Sequence, residues 1–158
     1  MIFHPLAKKI TCSALLALLM GCSGYKTYGV MGGFGEKKLA NNIYYVYFLG
    51  NGYTNNQRSR ELALLRSADI ALQKKRNYFV IGHKNPEPLD SKTTLASTNS
   101  LIYQGQRYYL TSPNQSHIII LFRTPPAVNK KYVYNSRKIC QTIAKKYATT
   151  CGKIKINP

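Results

Sequence analysis

The sequence predicts an α+β fold, a small mostly antiparallel sheet with two amphipathic helices packed on it. Apolar residues recur at a helical period over about 55–75 and again over 135–148. Short runs of β-branched and aromatic residues, bounded by Gly, Pro or Asn, lie between and around these stretches. The chain has 158 residues, of which 44% are hydrophobic and 18% charged, so it can form one domain with a real core.

The clearest strand is 43–49, IYYVYFL, after a turn at Asn41-Asn42. Both of its alternating sets are apolar or aromatic, so each face requires cover from a second layer or from a partner. The Gly-rich stretch 23–39 is predicted as a flexible tether followed by a turn or a short edge strand. The other predicted strands are, in chain order, 78–81, 101–103 with 107–110 as a hairpin, and 116–122, while the polar stretch 83–100 is a surface excursion with a short strand near Thr93.

The first helix follows the turn Gly50-Asn51-Gly52. Thr54 is a suitable N-cap, and Gln57 stands three residues later, as in a capping box. The segment is either a simple turn into the helix or an anion site, in which its amides and the helix N-terminus bind an anion such as phosphate. The sequence leaves both interpretations open.

Two features of this helix predict its orientation. Arg66 and Asp69 are opposite charges three residues apart, which on a solvated helix face contribute roughly 0.2–0.5 kcal/mol. The apolar arc, which we expect to face the core, consists of Leu64, Leu65, Ala68, Ala71 and Leu72.

The second helix is predicted to begin at Asn135 or Ser136 and to reach about Ala148. Cys140 lies on it, and Cys151 follows it. An oxidising compartment permits a disulfide between them, worth at most about 3 kcal/mol in the chain-entropy account, and two buried thiols are the alternative.

The N-terminus has the layout of an export signal. Lys8 and Lys9 precede an apolar run over 10–20, which is short of the roughly 20 residues that a membrane span requires. The tetrad that follows resembles a bacterial lipobox, in which the Cys thiol carries diacylglycerol; it consists of Leu19, Met20, Gly21 and Cys22. A transmembrane span, or a plain signal peptide with an incidental Cys, are the alternatives.

These features predict a domain organisation and a location. Residues 1–21 are expected to be a lipoprotein signal peptide, 22–31 the lipidated Cys and a tether, and 32–158 a single α+β domain. Ser23 after Cys22, rather than Asp, resembles the proteobacterial sorting signal for the outer membrane. We therefore expect an outer-membrane lipid anchor in the cell envelope, with the domain on the periplasmic face and membrane lipid as its first partner.

The charge balance is strongly positive, with 23 Lys and Arg against 5 Asp and Glu and a net charge of +18. Such a field attracts phospholipid headgroups, lipopolysaccharide phosphates, acidic glycans or nucleic acid, and export makes nucleic acid the least available of them. The alternative is that the charges are spread evenly over a solvated surface.

The sequence contains no recognisable catalytic or metal motif. His83 and His117 have no partner at metal-ligand spacing, and the five carboxylates form no local acid/base pair. No nucleophile motif is present. We therefore predict a non-enzymatic protein without cofactor or metal.

One family resemblance is carried by several short motifs. They are Gly33-Phe34-Gly35-Glu36, the strand residues Tyr44, Val46 and Phe48, Gly50-Asn51-Gly52, Ala63-Leu64-Leu65-Arg66 and Tyr78-Phe79-Val80-Ile81. Together they resemble the CC0125/CC1285 family of small proteobacterial lipoproteins over about half of the mature chain. The resemblance implies a compact α+β domain and an envelope location, and it implies no particular activity.

The leading functional hypothesis is a lipid-anchored envelope lipoprotein that uses a basic, tyrosine-rich domain to bind an anionic envelope polymer or a partner protein. The alternative is a structural or assembly subunit of an envelope complex, with the strand face of Tyr45 and Tyr47 buried against other subunits. A hydrolase whose site is assembled from distant residues is a third hypothesis.

Overall fold

The computed structural model describes residues 24–84 and 99–153, and it shows an α+β fold with one seven-stranded sheet and two long helices. The strands are β1 (Gly33–Ala40), β2 (Ile43–Leu49), β3 (Tyr78–Lys84), β4 (Ser100–Tyr103), β5 (Gln106–Leu110), β6 (Ser116–Phe122) and β7 (Val133–Asn135). The helices are α1 (Asn56–Gln73) and α2 (Ser136–Lys146), and a short 3-10 turn covers Lys130–Tyr132.

The sheet has the strand order β1-β2-β6-β3-β5-β4, and all of its pairings are antiparallel. Strands β2 and β3 both pair with β6 and therefore run parallel to each other, with α1 crossing between them. One edge of β3 is shared, because Tyr78–Val80 pair with β7 and Gly82–Lys84 pair with β5. A Cβ on Gly82 would lie 3.0 Å from the Tyr109 carbonyl oxygen, so glycine permits this close approach.

The second half of helix α1 is buried on nearly all sides, whereas its first two residues are exposed. Every residue from Leu62 to Ala71 is buried, because the sheet covers one face of the helix and α2 packs along another. The sheet contributes to this core the residues Phe34, Tyr44, Val46, Phe48, Phe79, Ile81, Ile119 and Leu121. Full burial of such side chains stabilises the fold by roughly 1.5–3 kcal/mol each, so this layer supplies most of the driving force.

The second face of the sheet is covered only in part. Ile43, Val80 and Ile120 pack with residues of the β4–β5 hairpin. The hairpin reaches back to the β1–β2 turn, where Gln104 Nε2 donates to the Asn41 carbonyl at 3.1 Å. The expectation that both faces of β2 are covered therefore holds for the helix side, whereas on the second face Tyr45 is 36% exposed.

The start of α1 differs from the predicted capping box. Asn55 is the N-cap, and its side-chain oxygen accepts from the Arg58 amide at 2.8 Å. Thr54 instead donates from Oγ1 to Asn51 Oδ1 at 3.0 Å. The prediction failed because Asn51 gives the Thr54 hydroxyl a nearer local acceptor, and Asn is as good a cap as Thr.

Helix α2 begins where the sequence predicted. Asn135 is its N-cap and accepts from the Lys138 amide at 3.0 Å. The structure joins Cys140 and Cys151 in a disulfide with a Cα–Cα distance of 5.8 Å.

The segment 24–31, expected as part of a tether, packs onto the domain instead. Tyr25 is 8% exposed and belongs to the main core. The backbone is held as well, because the Phe34 amide donates to the Lys26 carbonyl at 2.9 Å and the Tyr28 amide donates to the Phe34 carbonyl at 2.7 Å. An aromatic side chain with a buried polar partner thus extends the domain to Tyr25.

Several predictions fall outside the described residues. They are the signal peptide 1–21, the lipobox from Leu19 to Cys22 and the short strand near Thr93. Within the described residues, we find no helix with both the length and the apolar character of a membrane span.

Candidate functional site

A buried ionic network lies between β1 and α1. The Arg66 guanidinium donates from Nε and Nη2 to the two carboxylate oxygens of Glu36 at 3.0 and 2.8 Å, and from Nη1 to Asp69 Oδ2 at 2.7 Å. The side chains of all three residues are at most 1% exposed. The predicted solvated pair of Arg66 and Asp69 is therefore wrong, because Glu36 on β1 supplies a second charge that the helix sequence does not contain.

Asp69 joins three separate parts of the chain. Its Oδ2 also accepts from the Tyr25 hydroxyl at 2.9 Å, and its Oδ1 accepts from Gln73 Nε2 at 2.9 Å and from the Gly152 amide at 2.5 Å. Burial, and secondly the Asp69 charge, raise the pKa of Tyr25 well above its ordinary value, so the hydroxyl stays a donor.

Arg66 is also stacked on an aromatic ring. Its guanidinium carbon lies 4.3 Å from the centre of the Phe34 ring. Burial lowers the pKa of Arg66, but the hydrogen bonds that its guanidinium donates to Glu36, together with the surrounding negative charges, outweigh this effect and raise the pKa overall. The network is a permanent ionic core, which fixes the N-terminal segment to α1.

Glu61 forms a second, more exposed cluster between the two helices. It accepts from Lys146 Nζ at 2.6 and 2.8 Å, from the Tyr147 hydroxyl at 2.7 Å and from Gln57 Nε2 at 3.0 Å. Burial alone would raise the pKa of Glu61, but these hydrogen bonds, that from Lys146 foremost, lower it. The carboxylate therefore stays ionised and joins α1 to the end of α2.

These two clusters determine the charge of the outer surface. The described residues carry three carboxylates, Glu36, Glu61 and Asp69, and each is bonded to groups of the protein itself. Glu87 and Asp90 lie outside the described residues. The described surface is consequently lined by Lys and Arg with almost no acidic side chain between them.

Six cations lie on the loops and helix ends at the end of the sheet where α1 ends and α2 begins. Asn77 links the two loops there, because its Nδ2 donates to the Arg123 carbonyl at 3.5 Å and its carbonyl accepts from the Ser136 amide at 2.9 Å. We call the cationic side chains around this link the basic rim; they are Lys74, Lys75, Arg76, Arg123, Arg137 and Lys138, and all but the half-buried Arg76 are exposed.

Sequence reasoning did not find the contact of Ser67 with His117. Ser67 Oγ lies 2.9 Å from His117 Nε2, and His117 Nδ1 lies 2.9 Å from the Asn114 carbonyl oxygen. Burial lowers the pKa of His117 to about 4, against the effect of the Asn114 hydrogen bond, so the ring is neutral at pH 7. Ser67 and His117 are both buried, and the pair links α1 to β6 through the core.

The described surface has a shallow depression near the first turns of α1. It is lined by Gln57, Arg60, Glu61, Leu64 and Pro113. Its one carboxylate is the Glu61 that already binds Lys146. No group of His, Cys, Asp and Glu in the described part of the chain is arranged to hold a metal ion, and the ring of His83 stacks on Tyr109 at 5.6 Å.

Three tyrosines form a second surface feature, the tyrosine ladder of Tyr28, Tyr45 and Tyr47. The rings of Tyr45 and Tyr47 are 6.0 Å apart, and those of Tyr47 and Tyr28 are 6.2 Å apart. The Tyr47 ring lies directly over Gly35, where any side chain would collide with it. The ladder lies on the second face of the sheet, and α2 does not cover it because α2 packs on α1.

The predicted turn Gly50-Asn51-Gly52 is closed by its own groups. Asn51 Oδ1 accepts from the Tyr53 amide at 3.1 Å, and the Asn51 carbonyl accepts from the Thr54 amide at 2.9 Å. A Cβ on Gly50 would lie 2.5 Å from Thr54 Cβ, so glycine is required for packing. The contacts are those of a turn that directs the chain into α1.

Fold and surface together define a class: an α+β protein with a buried ionic core, a cationic exterior and an exposed aromatic strand face. Comparison with known proteins finds no matching family model, curated protein or solved structure. The resemblance to the lipoprotein family therefore stays a prediction.

Proposed function

We propose that this protein is a lipid-anchored envelope lipoprotein, acylated at Cys22, that binds an anionic envelope polymer through the basic rim. The observation that carries the proposal is that each carboxylate in the described residues forms an ion pair with an Arg or Lys of the protein itself. Because Glu36 and Asp69 are bonded to Arg66, and Glu61 to Lys146, these acids are not directed at the rim.

The composition of the rim suits a polymer better than a small molecule. Its cations lie on separate loops and helix ends around Asn77, so they are presented by several parts of the chain rather than by one. A flexible chain of sulfate, phosphate or carboxylate groups can contact several such cations at once, and each contact adds modestly to affinity.

The open tyrosine ladder favours a second candidate function, that of an assembly subunit. Tyr45 is 36% exposed and Tyr28 is 53% exposed. Aromatic residues of this kind are enriched in protein interfaces. In that case the strand face of β2 would pack against another envelope protein.

The anchor is tested by fractionation. Cells that make the wild type or Cys22→Ala are labelled with a radioactive fatty acid and separated into inner membrane, outer membrane and soluble periplasm. We expect label and outer-membrane sedimentation for the wild type alone. A wild type that is unlabelled and soluble would overturn the lipoprotein proposal.

Polymer binding is tested with the full-length lipidated protein in neutral detergent. Dextran sulfate is titrated by calorimetry, with unsulfated dextran as the uncharged polymer. The rim variant carries Lys74→Gln, Arg123→Gln and Arg137→Gln. At about 1 kcal/mol per removed cation, its affinity should fall roughly 100-fold.

The matched control removes the same number of charges elsewhere, with Lys37→Gln, Lys84→Gln and Lys145→Gln. We expect it to weaken binding far less, and we expect added salt to weaken wild-type binding by screening. Equal losses in the two variants would mean that the net charge, not the rim, attracts the polymer. A parallel titration with detergent micelles that contain phosphatidylglycerol separates lipid headgroups from a soluble polymer as the source of anions.

A further inference from the structure

One end of the sheet carries little formal charge, although the protein is strongly basic. The sequence ranges 27–35, 39–57 and 108–122 contain no Lys, Arg, Asp or Glu, although the chain has a net charge of +18. The sheet brings these ranges together, since Gly33 pairs with Leu49 and Tyr47 pairs with Ser116. The two loops at this end, 27–33 and 49–55, therefore contain no charged side chain, and exposed Lys26 directly precedes the first of them.

Large apolar side chains are exposed at this end, on the turn between Gly29 and Gly32 and on the loop after β2. We call them the apolar tip; they are Tyr28 (53% exposed), Val30 (104%), Met31 (46%), Leu49 (46%) and Tyr53 (88%). The two loops touch, because a side chain at Gly32 would collide with the Leu49 carbonyl and lie 3.3 Å from the Asn51 amide.

Cys22, the predicted site of the lipid anchor, precedes the turn of the apolar tip by only a few residues in the sequence. Tyr25 is fixed in the core, and Cys22 precedes it by three residues, which span at most roughly 11 Å when fully extended. If Cys22 is acylated, as proposed above, the anchor holds the domain against the bilayer surface. The turn that carries Val30 is five residues beyond Tyr25.

We propose that the apolar tip inserts into the interfacial region of the bilayer that holds the lipid anchor. Tyr side chains are favoured at the membrane interface, where the ring is in apolar surroundings and the hydroxyl remains hydrated. Transfer of the exposed Val30 and Met31 side chains from water into the interfacial region is also favourable, because it buries apolar surface. The two tip loops contain no charged residue that would oppose this transfer. This inference rests on the proposed lipid anchor.

The insertion also orients the rest of the molecule. Helix α1 has 18 residues and a length of about 27 Å, and it runs from the tip end to Lys74 at the basic rim. A tip seated in the bilayer therefore directs the rim away from the membrane, toward soluble polymers of the periplasm.

The test uses the absence of Trp from the sequence. Single Trp residues are introduced by Val30→Trp and, separately, Tyr53→Trp, into the full-length lipidated protein, which is reconstituted into phosphatidylethanolamine/phosphatidylglycerol vesicles. The matched control is Ile102→Trp, because Ile102 is also a large exposed apolar residue, 59% exposed, and lies on β4. Brominated lipids then report contact of each Trp with acyl chains.

We expect a blue shift and strong quenching by brominated lipid for Trp at positions 30 and 53, and neither for Trp at position 102. Equal, weak quenching at all three positions in vesicle-bound protein would overturn the inference and leave the lipid anchor intact. A blue shift without quenching would also overturn it, because the tip would then be buried against protein. Failure of the protein to bind vesicles would instead overturn the lipid anchor, and with it the inference.

Discussion

The buried network predicts that removal of the Arg66 guanidinium is severely destabilising. Arg66→Met keeps a side chain of similar length but leaves Glu36 and Asp69 as buried carboxylates without their cation. Loss of one member of a buried ion group costs about 3–5 kcal/mol. The three lost hydrogen bonds to charged groups are each worth about 1.5–3 kcal/mol. Their sum is larger than the cost given above, but partial protonation of the carboxylates and entry of water into the site reduce it to about 3–5 kcal/mol.

A loss of this size is a large part of the total stability, which is about 5–15 kcal/mol for a domain. The assay is urea unfolding at pH 7 followed by circular dichroism, with the disulfide intact. Arg60→Met, at an exposed position of the same helix, is the matched control and should change the free energy of unfolding by less than about 0.5 kcal/mol.

Two further variants separate charge from packing. Arg66→Lys keeps the charge but loses the forked pair of hydrogen bonds to Glu36, so its cost should be intermediate. Arg66→Met combined with Glu36→Gln and Asp69→Asn should recover part of the loss, because neutral amides are cheaper to bury than carboxylates. If Arg66→Met lies within about 1 kcal/mol of the wild type, the network is not the ionic core that its geometry indicates.

Two other predictions concern acid and reduction. The pKa of His117 is about 4 in the folded protein and 6.5 when it is exposed, so protonation favours the unfolded chain. This contribution is fully present above pH 6.5 and falls by up to about 3 kcal/mol as the pH drops to 4. Urea unfolding of wild type and His117→Asn between pH 4 and 7 measures it, and parallel pH profiles would contradict the argument. Reduction of the Cys140–Cys151 bridge, or Cys151→Ser, should lower the free energy of unfolding by at most about 3 kcal/mol and loosen the contact of Gly152 with Asp69. Hydrogen exchange at the Gly152 amide measures the second effect. Exchange that reduction leaves unchanged would show that Asp69 holds the segment without the disulfide.

The sequence by itself determined several of the local elements, although not the first-helix cap, the length of β1 or the short strand β7. The ranges 43–49 and 116–122 appear as β2 and β6 with the predicted bounds, because a run of β-branched and aromatic residues between turn formers has little other choice of structure. The start of α2 followed in the same way from Asn135, a capping residue placed before an amphipathic repeat. Charge balance and the lipobox motif are also properties of the sequence alone, and they carry the proposed location.

The tertiary structure decided everything that depends on residues distant in the chain. From the helix alone, Arg66 and Asp69 are indistinguishable from a solvated pair, and only the pairing of β1 with β2 places Glu36 beside them. The sequence predicted Tyr25 to lie in a tether. In the structure its hydroxyl donates a hydrogen bond to Asp69, which is 44 residues later in the chain, so Tyr25 belongs to the domain. The physical reason is the same in both cases: burial of a polar group is favourable only when distant partners satisfy it, and those partners are set by the packing of the sheet against α1 rather than by neighbours in the sequence.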